Sequence, residues 1–227
     1  MGFGAGREAM QAWLARPTWI SAQPRWAQLV LALLFGDLLG YVAHRLFHRG
    51  RAWRFHAVHH SSPGLDWLSS VRLHPLNEVG SRLLVVVPLA LLGFKPLQVA
   101  AVPVATALYA LLLHADVSWD FGPLRGVLAS PAFHRWHHAA GPAARDRNFA
   151  GLFAFWDVLF GTYHLPRGAR PERLGVDEAV PRGVLAQLVW PFRSGASNAN
   201  DQVSKDDPHV PRARRSDAGR SPASAVR

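Results

Sequence analysis

The apolar positions of the chain gather into four stretches, and clustered histidines fall in the polar gaps between them. The first stretch runs from Trp26 to Ala43, with Trp26 and Tyr41 near its ends, where aromatic residues anchor a helix at a membrane surface. It predicts a transmembrane helix. Its single charge, Asp37, is costly in hydrocarbon and is expected to face the protein interior beside a functional partner. At helical spacing Asp37, Tyr41, His44 and His48 share one face, so this helix runs directly into a histidine pair.

The second stretch, Leu83 to Leu113, is 31 residues long and broken only by Lys95, which lies between Gly93 and Pro96. A full crossing takes about 20 residues. The stretch is therefore too long for one helix and short for two, and it predicts a helical hairpin. Either flanking polar residues extend its limbs or its tip stops short of the far surface, and both ends emerge on one side. Pro88 and Pro103 predict kinks, which membrane helices tolerate. The third stretch, Asn148 to His164, is rich in aromatic residues and predicts an interfacial or core helix beside the site. The fourth, Gly183 to Phe192, predicts a short segment on the membrane surface. From Ser194 onward the composition is that of a disordered tail. The expected organisation is an N-terminal segment over 1–25, a membrane-embedded domain over 26–193 and a tail over 194–227. Residues 1–25 hold Arg7, Arg16 and Arg25 and no continuous apolar core, so insertion is expected to rely on internal segments.

Composition agrees with a membrane setting, with 49% hydrophobic and 18% charged residues. The net charge of +10 raises nucleic acid as a partner. Its distribution favours a membrane instead, because Arg45, Arg49, Arg51 and Arg54 follow directly on the first apolar stretch, as the positive-inside pattern requires. No nucleic-acid-binding motif accompanies them. The absence of cysteine excludes thiolate metal sites and iron–sulfur clusters, so any metal must take nitrogen and oxygen ligands.

Ten of the twelve histidines lie between positions 44 and 138. His44 and His48 stand four apart, which places both rings on one helix face. His56, His59 and His60, and again His134, His137 and His138, have i, i+3, i+4 spacing, so each triplet covers an arc of about 100° and can converge on a common point. A zinc site takes three or four protein ligands. Eight clustered histidines exceed that and imply two metal ions, with His74 and His114 available to complete the shells. On spacing alone His114 is a ligand or a helix cap, and His74, before Pro75, is a ligand or a turn residue. Imidazole suits Zn, Cu, Fe and Ni alike. Neutral ligands leave the metal charge uncompensated, so carboxylates are expected to accept from the outer ring nitrogens, with Asp37, Asp116, Asp146 and Asp157 as candidates. His164 and His209 are expected to be solvated.

The rival readings of these residues are a zinc-dependent membrane lipid hydrolase and a non-catalytic metal-binding or transport protein. In His-Glu-x-x-His zinc hydrolases the glutamate is the general base, but Arg45 stands at that position here. A metal-transport role would need a polar path across the membrane, toward which only Asp37 contributes.

The order His44…His48, His56…His60, apolar hairpin, His134…His138 is followed by Asn148-Phe149-Ala150-Gly151 and by Trp156-Asp157 through Phe160-Gly161-Thr162. Together with Asp37, Tyr41, Arg72-Leu73-His74-Pro75 and His114, it resembles the fatty acid hydroxylase superfamily, also called the sterol desaturase family, over about Leu33 to His164. The resemblance implies an all-α integral membrane protein with a cytosol-facing, histidine-rich dimetal site in a bacterial cytoplasmic membrane. The implied centre is two iron ions, for which zinc can substitute on purification. The implied partners are O2, a lipid substrate and a separate electron-donor reductase. The eight clustered histidines carry over as ligands, with His114 beside them, and His74 matches a family segment. Relatives commonly have further N-terminal membrane helices, whereas 25 residues precede Trp26 here.

Overall fold

The computed structural model describes residues 2–193, so the expected tail and His209 lie outside the described residues. Eight α-helices occur among them: α1 (Gly2–Ala15), α2 (Arg25–Phe47), α3 (Trp53–His60), α4 (Pro75–Leu92), α5 (Pro96–Leu113), α6 (Pro131–His137), α7 (Phe155–Leu159) and α8 (Val184–Val189). Strands are absent among the described residues apart from one isolated bridge, Ala139 to Leu174.

Helices α2, α4 and α5 are long and apolar enough to cross a membrane. At 1.5 Å per residue their 23, 18 and 18 residues span about 35, 27 and 27 Å, close to the roughly 30 Å hydrocarbon thickness. The hairpin limbs are both complete because α4 begins eight residues before Leu83, at Pro75. Flanking polar residues thus supply the missing length. Proline at the first position of α4 and α5 needs no hydrogen-bond partner there, and Gly93 ends α4 in the left-handed region at φ 92°.

Polar contacts at one end of the bundle and an apolar middle hold the three helices together. At the hairpin tip Gln98 donates to Gln28, Gln28 donates to Gln23 O, and Gly93 lies against Thr18 with no room for a Cβ. Below this lie Ala32, Leu89, Phe94, Val99 and Val102. Outward residues such as Leu83, Leu91, Val104 and Leu108 are exposed, as lipid-facing positions are. The opposite ends of α2, α4 and α5 meet the short helices α3 and α6, which carry the two histidine triplets.

The third apolar stretch departs from expectation. Only Phe155–Leu159 is helical, while Asn148 enters the left-handed region at φ 61° and the chain through 153 is a loop. The reason is competition for the backbone amides. Amides that a helix would have paired internally are taken by two buried carboxylates, as described below. In the fourth stretch α8 is a helix of six residues with Val184 and Leu185 exposed, and Trp190 beyond it is buried against Trp53 and Val58.

Gly36 sets the approach of α2 to α5, since a Cβ built there would lie 2.4 Å from Val102 Cγ1, whereas one at Gly40 meets nothing within 4 Å. Gly36→Ala is therefore expected to destabilise the protein by about 1–3 kcal/mol through overpacking. Gly40→Ala is expected to be neutral or stabilising by up to about 1 kcal/mol, from reduced backbone freedom. Thermal melts of the two variants in the same detergent provide the check, and equal melting temperatures would contradict the packing account.

Candidate metal centre

Nine histidines come together at the junction of α2, α3, α5 and α6, and they sort into two groups. His44, His48, His56, His60 and His137 form one, and His59, His114, His134 and His138 form the other, with the ligand atoms of each group within 4.8 Å of one another. Neither triplet converges on a single point. On a helix the i+4 ring is turned about 40° from the first and the i+3 ring about 60° the other way. Each i, i+4 pair accordingly serves one group and the i+3 residue crosses to the other. Helix α3 gives His56 and His60 to the first group and His59 to the second, while α6 gives His134 and His138 to the second and His137 to the first. His114, at the C-cap of α5, acts as cap and site residue at once: Nδ1 donates to Ala110 O at 2.8 Å while Nε2 enters the second group.

Tautomer and distance together suit these groups to hold a cation. His59 Nδ1 donates to Arg72 O at 3.3 Å and His114 Nδ1 to Ala110 O, and because a carbonyl can only accept, both Nε2 atoms hold lone pairs. Those two atoms face each other at 3.2 Å. In the first group His44 Nδ1 donates to Phe149 O at 2.8 Å and His56 Nδ1 to Asn77 Oδ1 at 3.1 Å, which leaves their Nε2 lone pairs 2.9 Å apart. His137 Nδ1 donates to Arg147 O at 2.8 Å, and its buried Nε2 has no hydrogen-bond partner among the described residues. Protonation does not relieve the conflict near neutral pH. Burial pushes the His59 imidazole well below its ordinary value and that of His114 down to about 4. A metal ion between the rings would relieve it.

The spacing also bears on geometry. Adjacent Nε2 atoms lie 2.9–3.2 Å apart within the groups. Ligands about 2.1 Å from one ion subtend roughly 90–100° at that separation, whereas a tetrahedral ion would hold them about 3.4 Å apart. With all ligand atoms of a group within 4.8 Å of one another, the first group offers five nitrogen donors to a cation and the second four.

His74, expected among the ligands, lies elsewhere. It caps α4, its Nδ1 accepting from Leu76 N at 3.1 Å and its Nε2 donating to Leu188 O at 3.2 Å, so neither nitrogen offers a lone pair to a metal. Asp37 and Asp157 also differ from expectation, because neither accepts from an imidazole. Leu152 N and Phe153 N donate to the two oxygens of Asp37, and Phe149 N and Ala150 N to those of Asp157, each at 2.8 Å. The two carboxylates pin the loop whose Phe149 carbonyl orients His44. They act on the site one residue removed. Thr162 donates to Asp157 and bonds Tyr41 Oη, which joins the loop to α2. Asp146 does approach a ligand, with Oδ1 3.4 Å from His48 Nδ1, whereas Asp116 pairs with Arg135 and Arg170. His164 is half-buried edge-on against Trp136 instead of solvated. Sequence reasoning missed Asn77 and the carbonyls of Arg72, Ala110, Arg147 and Phe149, since a backbone acceptor leaves no trace in residue type.

A cavity of about 700 Å³ borders both groups. Its lining includes His44 from the first group, His114 and His134 from the second, and Val85, Val86, Val102 and Leu111 from the membrane helices.

The loop clamp is testable. Asp37→Asn keeps one acceptor but turns an amide N–H2 toward a buried backbone donor, and is expected to cost about 1–3 kcal/mol. Asp177→Asn, at the exposed ion pair with Arg173, is expected to stay within about 0.5 kcal/mol of the parent chain. Chemical denaturation of both variants in detergent distinguishes them, and an unchanged midpoint for Asp37→Asn would refute the clamp.

Comparison with known proteins agrees with this arrangement. The chain is 37% identical over 176 residues to the ornithine lipid hydroxylase OlsE of Rhizobium tropici, covering 77% of this chain and 53% of that protein. It is 37% identical over 147 residues to alkylglycerol monooxygenase of Danio rerio, covering 64% of this chain and 31% of the relative. It is 33% identical over 149 residues to the C-4 methylsterol oxidase erg25 of Schizosaccharomyces pombe, covering 60% and 48%. The chain thus spans about half the length of the first of these and about a third of the second. No solved structure gives a significant match. The fatty acid hydroxylase model matches residues 29–162, a span that takes in the first membrane helix, the hairpin and all nine clustered histidines, and the chain belongs to the fatty acid hydroxylase family.

Proposed function

We propose that this chain is an O2-dependent di-iron oxygenase that hydroxylates or desaturates a C–H bond of a lipid. The observation that carries the reading is that both histidine groups border one apolar cavity walled by the three membrane helices. An unactivated C–H bond offers no charge to grip, so its recognition needs a shaped apolar space beside the reactive centre. The relatives are lipid hydroxylases and monooxygenases by name, which supports the same class of reaction.

In this reading the nine histidines are the metal ligands and residues 26–193 are the catalytic unit. Two bound iron ions would supply O2 activation and hydrogen abstraction. The chain's own residues do the rest. Carbonyls of Arg72, Ala110, Arg147 and Phe149 lock the imidazole tautomers so that each Nε2 presents a lone pair. Val86, Val102 and Leu111 exclude water and align an acyl or ring substrate against His44, His114 and His134. Of the two carboxylates lining the cavity, Asp37 has both oxygens occupied by backbone amides and Glu78 is paired with Arg82, so neither is free to act as a hydrolytic base. This favours oxygenation over zinc-dependent hydrolysis.

Arg45, Arg49, Arg51 and Arg54 lie at the histidine end of α2, which supports a site on the cytoplasmic side of a bacterial inner membrane. Electrons would come from a separate reductase reaching that side.

The purified full chain in detergent is expected to bind about two iron ions, counted by elemental analysis. It should consume O2 when given a reductase and a lipid extract, with ornithine lipids as the first class to assay. Full turnover by iron-free protein would sink the proposal. His74→Asn, which keeps a capping side chain, is expected to retain both irons, while His59→Ala and His60→Ala each lower the content toward one.

A further inference from the structure

Helix α4 carries two charged side chains, Glu78 and Arg82, and both line the cavity beside the histidines. Arg82 Nε donates to Glu78 Oε1 at 2.5 Å. That uses one of the five guanidinium donors, and Arg82 makes no other hydrogen bond among the described residues. Ser70 and Ser81 line the same wall. Ionisable side chains in a membrane helix are expensive and mark substrate paths when they face a cavity. A helix-stabilising pair of this spacing would serve equally well on the outer, interfacial face of α4. Here the pair, half-buried, faces the cavity, whose lining is mainly apolar apart from Asp37, the histidines, Ser70, Ser81 and Thr106.

The depth of the pair is informative. The limbs of the hairpin are equal at 18 residues, so Glu78, three residues into α4, lies level with Ala110, three residues before the end of α5. Ala110 holds His114 through its carbonyl. The long Arg82 side chain leans toward the start of α4, to Glu78, and thus toward this level. A ligand held by the pair would rest at the depth of the metal centre, with the apolar part of the cavity past Val86 and Val102 left for a hydrocarbon chain.

We propose that Glu78 and Arg82 form a headgroup subsite and that the lipid substrate carries a zwitterionic head. The guanidinium takes a carboxylate or phosphate through its free donors, and the Glu78 carboxylate accepts from an ammonium on the same head. A neutral sterol or glyceride filling the cavity would strip water from both charges without replacing it, so the pair also selects against such lipids. This inference rests on the reading of the cavity as a lipid substrate site.

Binding to the full chain in detergent, read by native mass spectrometry or displacement of a spin-labelled lipid, tests it without turnover. The probes are phosphatidylethanolamine and diacylglycerol with the same acyl chains. Phosphatidylethanolamine is expected to bind about tenfold or more tightly than diacylglycerol. Arg82→Met should bring that ratio close to one while leaving diacylglycerol binding intact, which also reports that the variant is folded, and Arg82→Lys should restore part of the preference. Equal binding of the two lipids to the parent chain, failure of phosphatidylethanolamine to bind, or a parallel loss of both in Arg82→Met would overturn the proposal. Displacement by soluble phosphoethanolamine alone would overturn it too, by making the pair a small-ion site. Failure here would leave the oxygenase reading standing, since O2 uptake on a neutral lipid tests that separately, and a lack of O2 uptake would not alter the binding ratio.

Discussion

Lone pairs of imidazoles facing one another at about 3 Å, His44 against His56 and His59 against His114, are the constraint around which this protein is organised. Neutral rings in that arrangement repel, and burial denies them the protons that could relieve the repulsion. The fold must therefore hold these rings in place by their outer nitrogens, and it does so with backbone carbonyls at His44, His59, His114 and His137 and with Asn77 at His56. A carbonyl of a helix or a pinned loop has little freedom to move, so it fixes both the ring orientation and the tautomer. What remains at the centre is a set of donors that only a cation completes.

That demand explains features that look unrelated along the chain. The loop from Asn148 to Phe153 stays irregular because its carbonyl at Phe149 is needed by His44, and its amides are satisfied by Asp37 and Asp157 instead of by a helical turn. A carboxylate in the middle of a membrane helix would otherwise be a liability. At Asp37 it is neutralised in effect by two backbone donors, and it ties α2 to the far end of the matched region. The three membrane helices form a clamp, closed by glutamines at the hairpin tip and by histidines at the other end, with Gly36 allowing α2 and α5 to approach between them.

The clamp also shapes the cavity. Its walls are the faces of α2, α4 and α5 that point toward one another, so the elements that carry His44 and His114 also define the space offered to an apolar ligand. The histidine groups and the apolar cavity are consequences of one helix arrangement. The charged pair of α4 interrupts the mainly apolar lining of that cavity, which His44, His114 and His134 also border.

Much of this was legible along the chain, since hydrophobic run length and histidine spacing are local properties. The spans and the hairpin followed from them, because about 20 apolar residues per crossing is a physical count, and the expectation of two metals rested likewise on four ligands per ion. The split of each triplet between the groups was implicit in helical angles, yet it became definite only when α3 and α6 were set against each other. His74 and His114 could not be separated by sequence, each being a histidine at a helix end. Packing placed His114 against His59 and His134, and gave both nitrogens of His74 to backbone partners. Tertiary structure likewise decided that Asp37 and Asp157 hold a loop instead of a ring, because a carboxylate takes whichever donors the fold brings within reach, and contacts such as that of Asp37 with Leu152 join residues more than a hundred positions apart.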